Sequence, residues 1–437
     1  MNFLKGARLP HRKSTADRPI ARLTEVREVT LPVQMHIGAP AIPVVKVGDT
    51  VKVGTLIAEA SGHVSSPVYA SVSGKVKKIA DTLLSNGATA PAVTIESDGA
   101  MTPCESLCPP TVESREDLVA AIRNSGVVGL GGAGFPTHVK FNVDPDRAEI
   151  LVINGAECEP YITSDTLTMV ERAEDMAYAI GVLQTYFHFD RVVIGIEGMN
   201  RRAIRSMQEM ASHIDRVEVK VLPNVYPQGG EKVLVYHTTG RTIPTGKLPT
   251  DVGCVVCNCT TLAVIGSYLK TGMPLVEKCI TVDGGAVAEP QNVIAPIGTP
   301  MADVFAFCGG LTAEPAKVLY GGPMMGVTVP DLSAPILKNT NAVLALTAKE
   351  TKLPKTTACI RCGSCVSVCP FGLSPAAIAQ AYKKKDTVRL EELSVRTCME
   401  CGCCSFVCPA NRPLVQTNKL SKILLQEEKI KEEQKHG

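Results

Sequence analysis

The residues with the most distinctive chemistry are sulfur. Nine of the 17 cysteines in this 437-residue chain lie between Cys359 and Cys408. They read Cys359-x2-Cys362-x2-Cys365-x3-Cys369-Pro370 and, 39 residues on, Cys398-x2-Cys401-x2-Cys404-x3-Cys408-Pro409. Three thiolates at this spacing can wrap one face of an iron–sulfur cubane, while the fourth, on a stiff Cys-Pro turn, reaches a second cubane. The pattern assigns Cys359, Cys362, Cys365 and Cys408 to one [4Fe-4S] cluster, and Cys398, Cys401, Cys404 and Cys369 to another. Zinc modules instead present two separated C-x2-C pairs. Cys403 is additional and is expected to pack beside a cluster. An odd cysteine count and an N-terminal MNFLKGARLPHRK without an apolar signal core exclude a secreted disulfide framework, so a reducing cytoplasm is expected.

A second chemical feature is Gly129-Leu-Gly131-Gly132-Ala-Gly134-Phe135-Pro136-Thr137-His-Val-Lys140. It satisfies G-x-G-x-x-G, but a dinucleotide fingerprint follows a strand. Here a helix precedes it: Ser114-Arg-Glu-Asp117 reads as a capping box, with Leu118, Val119 and Ile122 behind it and Gly126 as the stop. Four glycines still let backbone N–H groups approach a phosphate or a flat ring, and Lys140 adds a positive charge. An apolar run, 150–153, ends in Asn154-Gly-Ala-Glu157-Cys-Glu159-Pro160-Tyr161, which places acidic groups suited to ribose hydroxyls or a flavin edge at a strand end.

Such groups need a scaffold. Residues 191–196 and 217–222 read as strands on either side of a helical stretch, 200–214, so an α/β layer with a mostly parallel sheet is expected. Its ligand would gather at strand carboxyl ends, near Asn154 and Tyr226-Pro-Gln-Gly-Gly230-Glu231. Upstream, Val44-Val-Lys-Val-Gly48-Asp49 and Ala70-Ser-Val-Ser-Gly74 show the short-strand, glycine-turn pattern of a barrel sandwich. Residues 374–393 between the cysteine motifs read as a connecting helix, which with the motifs makes a ferredoxin-like module. The charge-free run 252–269 nears membrane-spanning length but is interrupted by Gly253, Asn258, Thr260, Thr261, Gly266 and Ser267, and reads as buried core. Cys254, Cys257 and Cys259 read as small hydrophobes, and His36 as a satisfied core or interface histidine.

Composition agrees with a globular electron carrier of several domains. Hydrophobic residues make up 45% and charged residues 20%, and 45 Lys+Arg against 43 Asp+Glu give a net charge of +2, which disfavours nucleic acid as a partner.

In combination the Gly129–Lys140 loop, the Asn154–Pro160 segment, Gly229-Gly230-Glu231 and Asn258-Cys-Thr260-Thr261 resemble the flavin- and NADH-binding core of the 51 kDa-type subunit of respiratory complex I. A module in front and two clusters behind is closer still to the RnfC family, subunits of the Rnf complex, which is an ion-translocating ferredoxin:NAD+ oxidoreductase. The resemblance runs from Phe3 to Pro413. It implies a barrel-sandwich domain at 1–108, an FMN/NADH-binding α/β domain at 109–270, a β-grasp-like (SLBB) domain at 271–340, an α-helical two-cluster ferredoxin-like domain at 350–415 and a solvated tail at 416–437.

The same resemblance implies that Gly129, Gly131, Gly132 and Gly134 line FMN and nucleotide and that Phe135 stacks on the nicotinamide or adenine side. Lys140 would meet a cofactor phosphate or ribose, and Asn154, Glu157 and Glu159 the isoalloxazine and NADH. Gly230 would line the nucleotide site, Glu231 would take the NADH ribose, and Asn258 with Thr261 the FMN. Leu130 replaces the arginine usual in complex I. The expected function is passage of electrons between NAD(H), FMN and the two clusters, in an oxidoreductase subunit. It would sit peripherally on the cytoplasmic face of the cell membrane, with membrane subunits and a ferredoxin-accepting subunit as partners and no span of its own. Carboxylates at Glu159 and Glu231 favour NADH over NADPH. A cobalamin reductase of propanediol-utilisation type, or a cluster-only electron wire, are the alternative readings.

Overall fold

The computed structural model describes residues 4–84, 87–144, 147–329 and 331–436. Phe3, where the resemblance begins, and Gly437, where the expected tail ends, lie outside them.

The first domain is built from short strands punctuated by turns. One antiparallel sheet orders Glu28–Pro32, Thr89–Ser97, Gly74–Leu83 and Thr50–Val51, and a smaller one orders Ile42–Pro43, Leu56–Glu59 and Val68–Tyr69. Val29, Leu31, Ile57, Val76, Val93 and Ile95 fill the core between them. The first twenty-odd residues, expected in this domain, leave it. Ala7 bridges Tyr226 and Ala21–Arg22 pair with Gln291–Pro296. This segment is rich in Arg and Pro and lacks the apolar alternation that a barrel strand needs.

In the second domain α1 (Arg115–Asn124) starts where the spacing predicts: the Ser114 hydroxyl accepts the Asp117 N–H at 3.1 Å. The glycine loop follows, and α2 (Thr137–Phe141) leaves it. The sheet is wholly parallel among the described residues, in the order Val217–Leu222, Arg191–Glu197, Ile150–Asn154, Cys254–Asn258. Strand order therefore reverses between Ile150–Asn154 and Cys254–Asn258, and Asn154 and Asn258 stand side by side at the reversal. Helices α3 (Ser164–Glu171), α4 (Ala173–Phe187), α5 (Arg201–Ala211), α6 (Glu231–Thr239) and α7 (Cys259–Thr271) accompany it. The charge-free run proves to be the Cys254–Asn258 strand and the body of α7, with Cys254, Cys257 and Cys259 buried. No helix among the described residues is long and apolar enough to cross a membrane.

The third domain is a six-stranded mixed sheet ordered Ala21–Arg22, Gln291–Pro296, Glu277–Asp283, Ala342–Leu346, Lys317–Tyr320, Val327–Val329. It takes in Ala342–Leu346, beyond the expected limit at 340, because that fully apolar strand completes the middle of the sheet. Helices α8 (Met301–Phe307) and α9 (Ala348–Thr351) flank it. Lys338 pins three domains together: its buried Nζ donates to Ser66 Oγ (3.1 Å), Pro67 O (2.5 Å) and Gly126 O (2.8 Å). Burial lowers its pKa to about 7.

The last domain holds α10 (Ser364–Ser367), α11 (Pro375–Lys383), α12 (Thr387–Glu392), α13 (Cys403–Phe406) and α14 (Leu414–His436). The single connecting helix expected at 374–393 is two. Lys385 turns left-handed at φ 53°, and Asp386 caps α12 by accepting the Arg389 N–H. The first half of α14 is not a solvated tail, since Leu414, Asn418, Ser421 and Leu425 at helical spacing are buried against the cluster domain.

One contact decides how the second domain packs. A Cβ on Gly266, inside α7, would lie 1.9 Å from the Asp175 carbonyl oxygen of α4. Helix propensity alone makes Gly266→Ala stabilising by about 1 kcal/mol. Packing reverses the sign: the two helices must part, and the variant is expected to lose roughly 2 kcal/mol or more, read as a lowered Tm. A raised Tm would contradict this packing.

Candidate nucleotide groove and cluster sites

At the strand reversal the carboxyl ends of a parallel sheet leave a crevice, the position at which α/β sheets bind ligands. Two adjoining cavities occupy it, of about 430 and 420 Å³, sharing Gly131, Ala133, Asn154, Gly229 and Asn258 in their walls. The first is floored by Val255, Val256 and Cys257 and carries Phe135, Lys140 and Glu231. The second reaches past Glu157 and Glu159 to Tyr226 and Met399, beneath Tyr320, Gly321, Gly322 and Asn339 of the third domain.

The glycine loop closes on itself. Gly129 N–H donates to Phe135 O (2.8 Å) and Gly134 N–H to Gly129 O (3.0 Å), with Gly132 and Gly134 at φ 120° and 66°. Each domain around it supplies a tether: Thr261 Oγ1 accepts the Leu130 N–H, Asn339 Nδ2 donates to Gly132 O, and the Ile37 N–H donates to Gly134 O. Leu130 is fully buried, so its side chain offers the groove nothing.

Asn154 and Asn258 serve the scaffold as well as the groove wall. Asn154 Nδ2 donates to Gly229 O, and Asn258 caps α7 by accepting the Thr261 N–H. Asn258 Nδ2 also donates to Asp165 (2.8 Å), whose other oxygen accepts from Thr260. Glu157 is buried, and its carboxylate accepts the Asp165 and Thr166 N–H groups and the Thr166 hydroxyl. Burial raises its pKa, Lys13 opposes this, and Asp165 adds to it. Glu159 accepts the Met324 and Met325 N–H groups at 3.0 and 2.8 Å, and burial pushes its pKa up to about 7. Lys140 spans the groove wall to Glu231 (3.1 Å) and the Val256 carbonyl (3.2 Å).

Several groups here had no signal in sequence. Lys13 Nζ donates to the carbonyls of Glu157, Glu159 and Ile162. Asp165 and Asn339 reach the site through contacts far apart in the chain. Met399, between two cluster cysteines, packs so closely on the turn at Gly230 that a Cβ there would lie 2.1 Å from its methyl group.

The cysteines gather into two sets. Cys359, Cys362, Cys365 and Cys408 line one cavity of about 330 Å³; Cys369, Cys398, Cys401 and Cys404 line a second, of about 20 Å³, together with Cys403. Thiol pKa shifts report the same crossing over. Cys365 is raised by burial and then by Cys408 and Cys362, and Cys369 by burial and then by Cys401 and Cys398. Among the described residues no three ligating side chains converge on a single ion. A cubane needs its thiolates further apart than one ion does, and each set offers four of them. The first set fits a cubane as it stands. The second holds the complete donor set in a tighter space, with the Glu400 N–H and Asn418 Nδ2 both 3.4 Å from the Cys398 sulfur. Cys403 is buried and donates its S–H to Tyr226 O.

Comparison with known proteins agrees in domain order. Residues 1–100 match the family model of the RnfC barrel sandwich hybrid domain, 122–267 the Nuo51 FMN-binding domain, 279–328 the SLBB domain and 352–428 the 4Fe-4S dicluster domain. The chain is 42% identical over 427 residues to the RnfC-type subunit of the Na(+)-translocating ferredoxin:NAD(+) oxidoreductase complex of Acetobacterium woodii, covering 96% of each chain. The chain belongs to the RnfC family. The corresponding subunit of the proton-translocating complex of Clostridium ljungdahlii is 40% identical, covering 84% of this chain and 81% of its own, and that of an ion-translocating oxidoreductase complex of Rhodobacter capsulatus is 39% identical, covering 97% and 83%. An NAD+-reducing [NiFe]-hydrogenase structure shares the fold at TM-score 0.50 and 18% identity, over 72% of this chain and 62% of that one. As an RnfC protein the chain is an oxidoreductase subunit that transfers electrons, with an FMN-binding domain and a 4Fe-4S dicluster domain.

Beside the groove, Glu197 is buried with Oε2 unpartnered among the described residues, and burial raises its pKa to about 7. Its ionised form is therefore less favourable folded than unfolded, and it costs stability increasingly as pH rises from the unfolded value through about 7. Glu197→Gln removes that cost. Relative to the parent, the variant is expected to gain on the order of 2 kcal/mol between pH 5 and pH 7.5, read as Tm against pH. The fixed cost of the amide does not vary with pH, so parallel Tm curves would contradict a carboxyl with a raised pKa.

Proposed function

We propose that this subunit joins NAD(H) to one-electron carriers through FMN held in the groove, and that electrons cross to the two clusters in a fixed order. The observation that carries the reading is the continuity of the groove from the Lys140–Glu231 end to Met399, the residue that follows Cys398.

The groove residues fit a flat ring with an anionic tail. Gly131 and Gly132 present backbone without side chains, Phe135 and the Val255–Cys257 strand give apolar surface, and Lys140 is the cation on that wall. FMN, when bound, exchanges two electrons with a nicotinamide and one with a cluster. The chain's own residues hold and insulate. Thr261, Asn339 and Ile37 fix the loop backbone, while Glu159 holds the Met324–Met325 turn over the second cavity. Gly230, Glu231, Asn154 and Glu157 line the nucleotide end and middle, and Asn258 with Thr261 the flavin end. No acid or base is required of any side chain.

The cluster of Cys369, Cys398, Cys401 and Cys404 is proximal in this reading, because Met399 bridges it to the groove. The cluster of Cys359, Cys362, Cys365 and Cys408 is distal, with Cys359 and Cys362 exposed. The partners are the membrane subunits of an Rnf complex and its ferredoxin-accepting subunit, met from the cytoplasmic face. Glu231 neutralises Lys140 and leaves the wall unsuited to an extra phosphate, which supports NADH over NADPH.

Anaerobic purification with iron reconstitution, followed by iron and FMN counts and a nicotinamide titration, tests the reading. About eight irons with bound FMN, and bleaching by NADH well ahead of NADPH, are expected. A chain with its iron in place that binds no FMN and ignores NADH would be an electron wire, and the groove assignment would fall.

A further inference from the structure

The distal cysteines lie in a segment with an unusual charge. Across the whole chain basic and acidic residues nearly balance, 45 to 43, yet residues 351–385 carry Lys352, Lys355, Arg361, Lys383, Lys384 and Lys385 and no Asp or Glu. The carboxylates next along the chain are already engaged: Glu391 pairs with Arg396 and Glu392 with Arg389. Among the described residues none of the six cations forms an ion pair. Arg412 and Arg361 line the distal cavity, and no carboxylate does.

The same surface is apolar at its centre. Residues 352–363 have no helix or strand, and every one of them is exposed. Leu353 is 84% and Ile360, between two of the ligand cysteines, 68% exposed. The segment is nonetheless pinned: the Thr357 N–H donates to Ala410 O and the Thr356 hydroxyl to Asn411 O, beside Cys408. A fixed loop that presents ligand thiols, two bare aliphatic side chains and a ring of unpaired cations has the anatomy of a docking patch. An apolar centre excludes water, and a charged rim steers encounter.

We propose that this face is the electron port of the subunit, and that its partner is an acidic one-electron carrier protein or domain that docks on the Lys352–Arg361 loop and the Lys383–Lys385 end of α11. The proposal rests on the distal placement of the Cys359 cluster given above. The transfer is balanced without further reagents: one electron leaves one iron–sulfur centre and one enters the carrier, with no bond made and no proton moved. A protein is favoured over an anionic membrane because the cations surround cluster ligands, and only a redox partner has a use for that juxtaposition.

The test uses the full chain with clusters reconstituted and an acidic plant-type [2Fe-2S] ferredoxin as the probe. Binding is measured by calorimetry at low and high salt, and electron transfer by stopped-flow reoxidation of the dithionite-reduced protein. The variant is Lys352→Glu/Lys355→Glu/Lys384→Glu; none of these residues lines the ligand cavity, and unchanged cluster absorbance confirms its integrity. The parent is expected to bind the probe with an affinity that falls about tenfold on raising salt from about 20 to about 300 mM. The variant should bind about tenfold more weakly with little salt dependence, while reoxidation by a small neutral quinone stays unchanged. Equal binding by parent and variant, or no binding by either, would overturn the proposal. So would adhesion to phosphatidylglycerol vesicles that the variant loses while its affinity for the probe is kept. If NADH reduces nothing yet the probe still binds in this charge-dependent way, the nucleotide reading falls and the port stands.

Discussion

Two buried carboxylates, Glu157 and Asp165, hold the centre of this molecule in place. Glu157 takes the first N–H groups of α3, the free backbone donors that every helix start leaves. Asp165, fixed by that bond, takes Asn258 and Thr260 at the start of α7. Asn258 in turn fixes Thr261, and Thr261 bonds the glycine loop at Leu130 and Val128. A chain of hydrogen bonds thus runs from one strand end to the next and into the loop, across the place where strand order reverses. Each member is buried, so removing one would leave its partners without water to replace it.

That constraint explains how four domains share one groove. The α/β sheet supplies the floor, the third domain supplies Asn339 and the Gly321–Gly322 roof, and the first domain touches the loop through Ile37. The N-terminal segment threads between them with Lys13 under the acidic turn. The cluster domain then docks by Met399 against Gly230, and Tyr226, paired with Ala7, packs beside Cys401 and Cys403. Electron transfer depends on short separations between centres, and here they follow from packed side chains instead of flexible linkers.

What could be seen in the sequence was what local chemistry dictates. Cysteine spacing carried the cluster pairing, because cubane ligation is enforced over eleven residues and a Cys-Pro turn. Ser114 with Asp117, and the interrupted apolar run at 252–269, were legible for the same reason. The site's tethers were not. Lys13, Asp165, Asn339 and Met399 each act on a residue roughly a hundred or more positions away, and nothing in their neighbours distinguishes them from surface residues. The break between α11 and α12 was missed because the helical pattern of apolar residues continues through it, and only Asp386 marks the new start. The packed half of α14 was hidden among Lys and Glu residues that set the composition without facing the core.

The central claim is the order groove, proximal cluster, distal cluster. It is tested most directly by replacing Cys398 with Ser and following the distal cluster by EPR after anaerobic mixing with NADH. The account expects the distal signal to fail with NADH, to appear normally with dithionite, and FMN bleaching by NADH to survive. A distal cluster reduced by NADH as fast as in the parent would contradict the order, and with it the role of Met399 as the bridge.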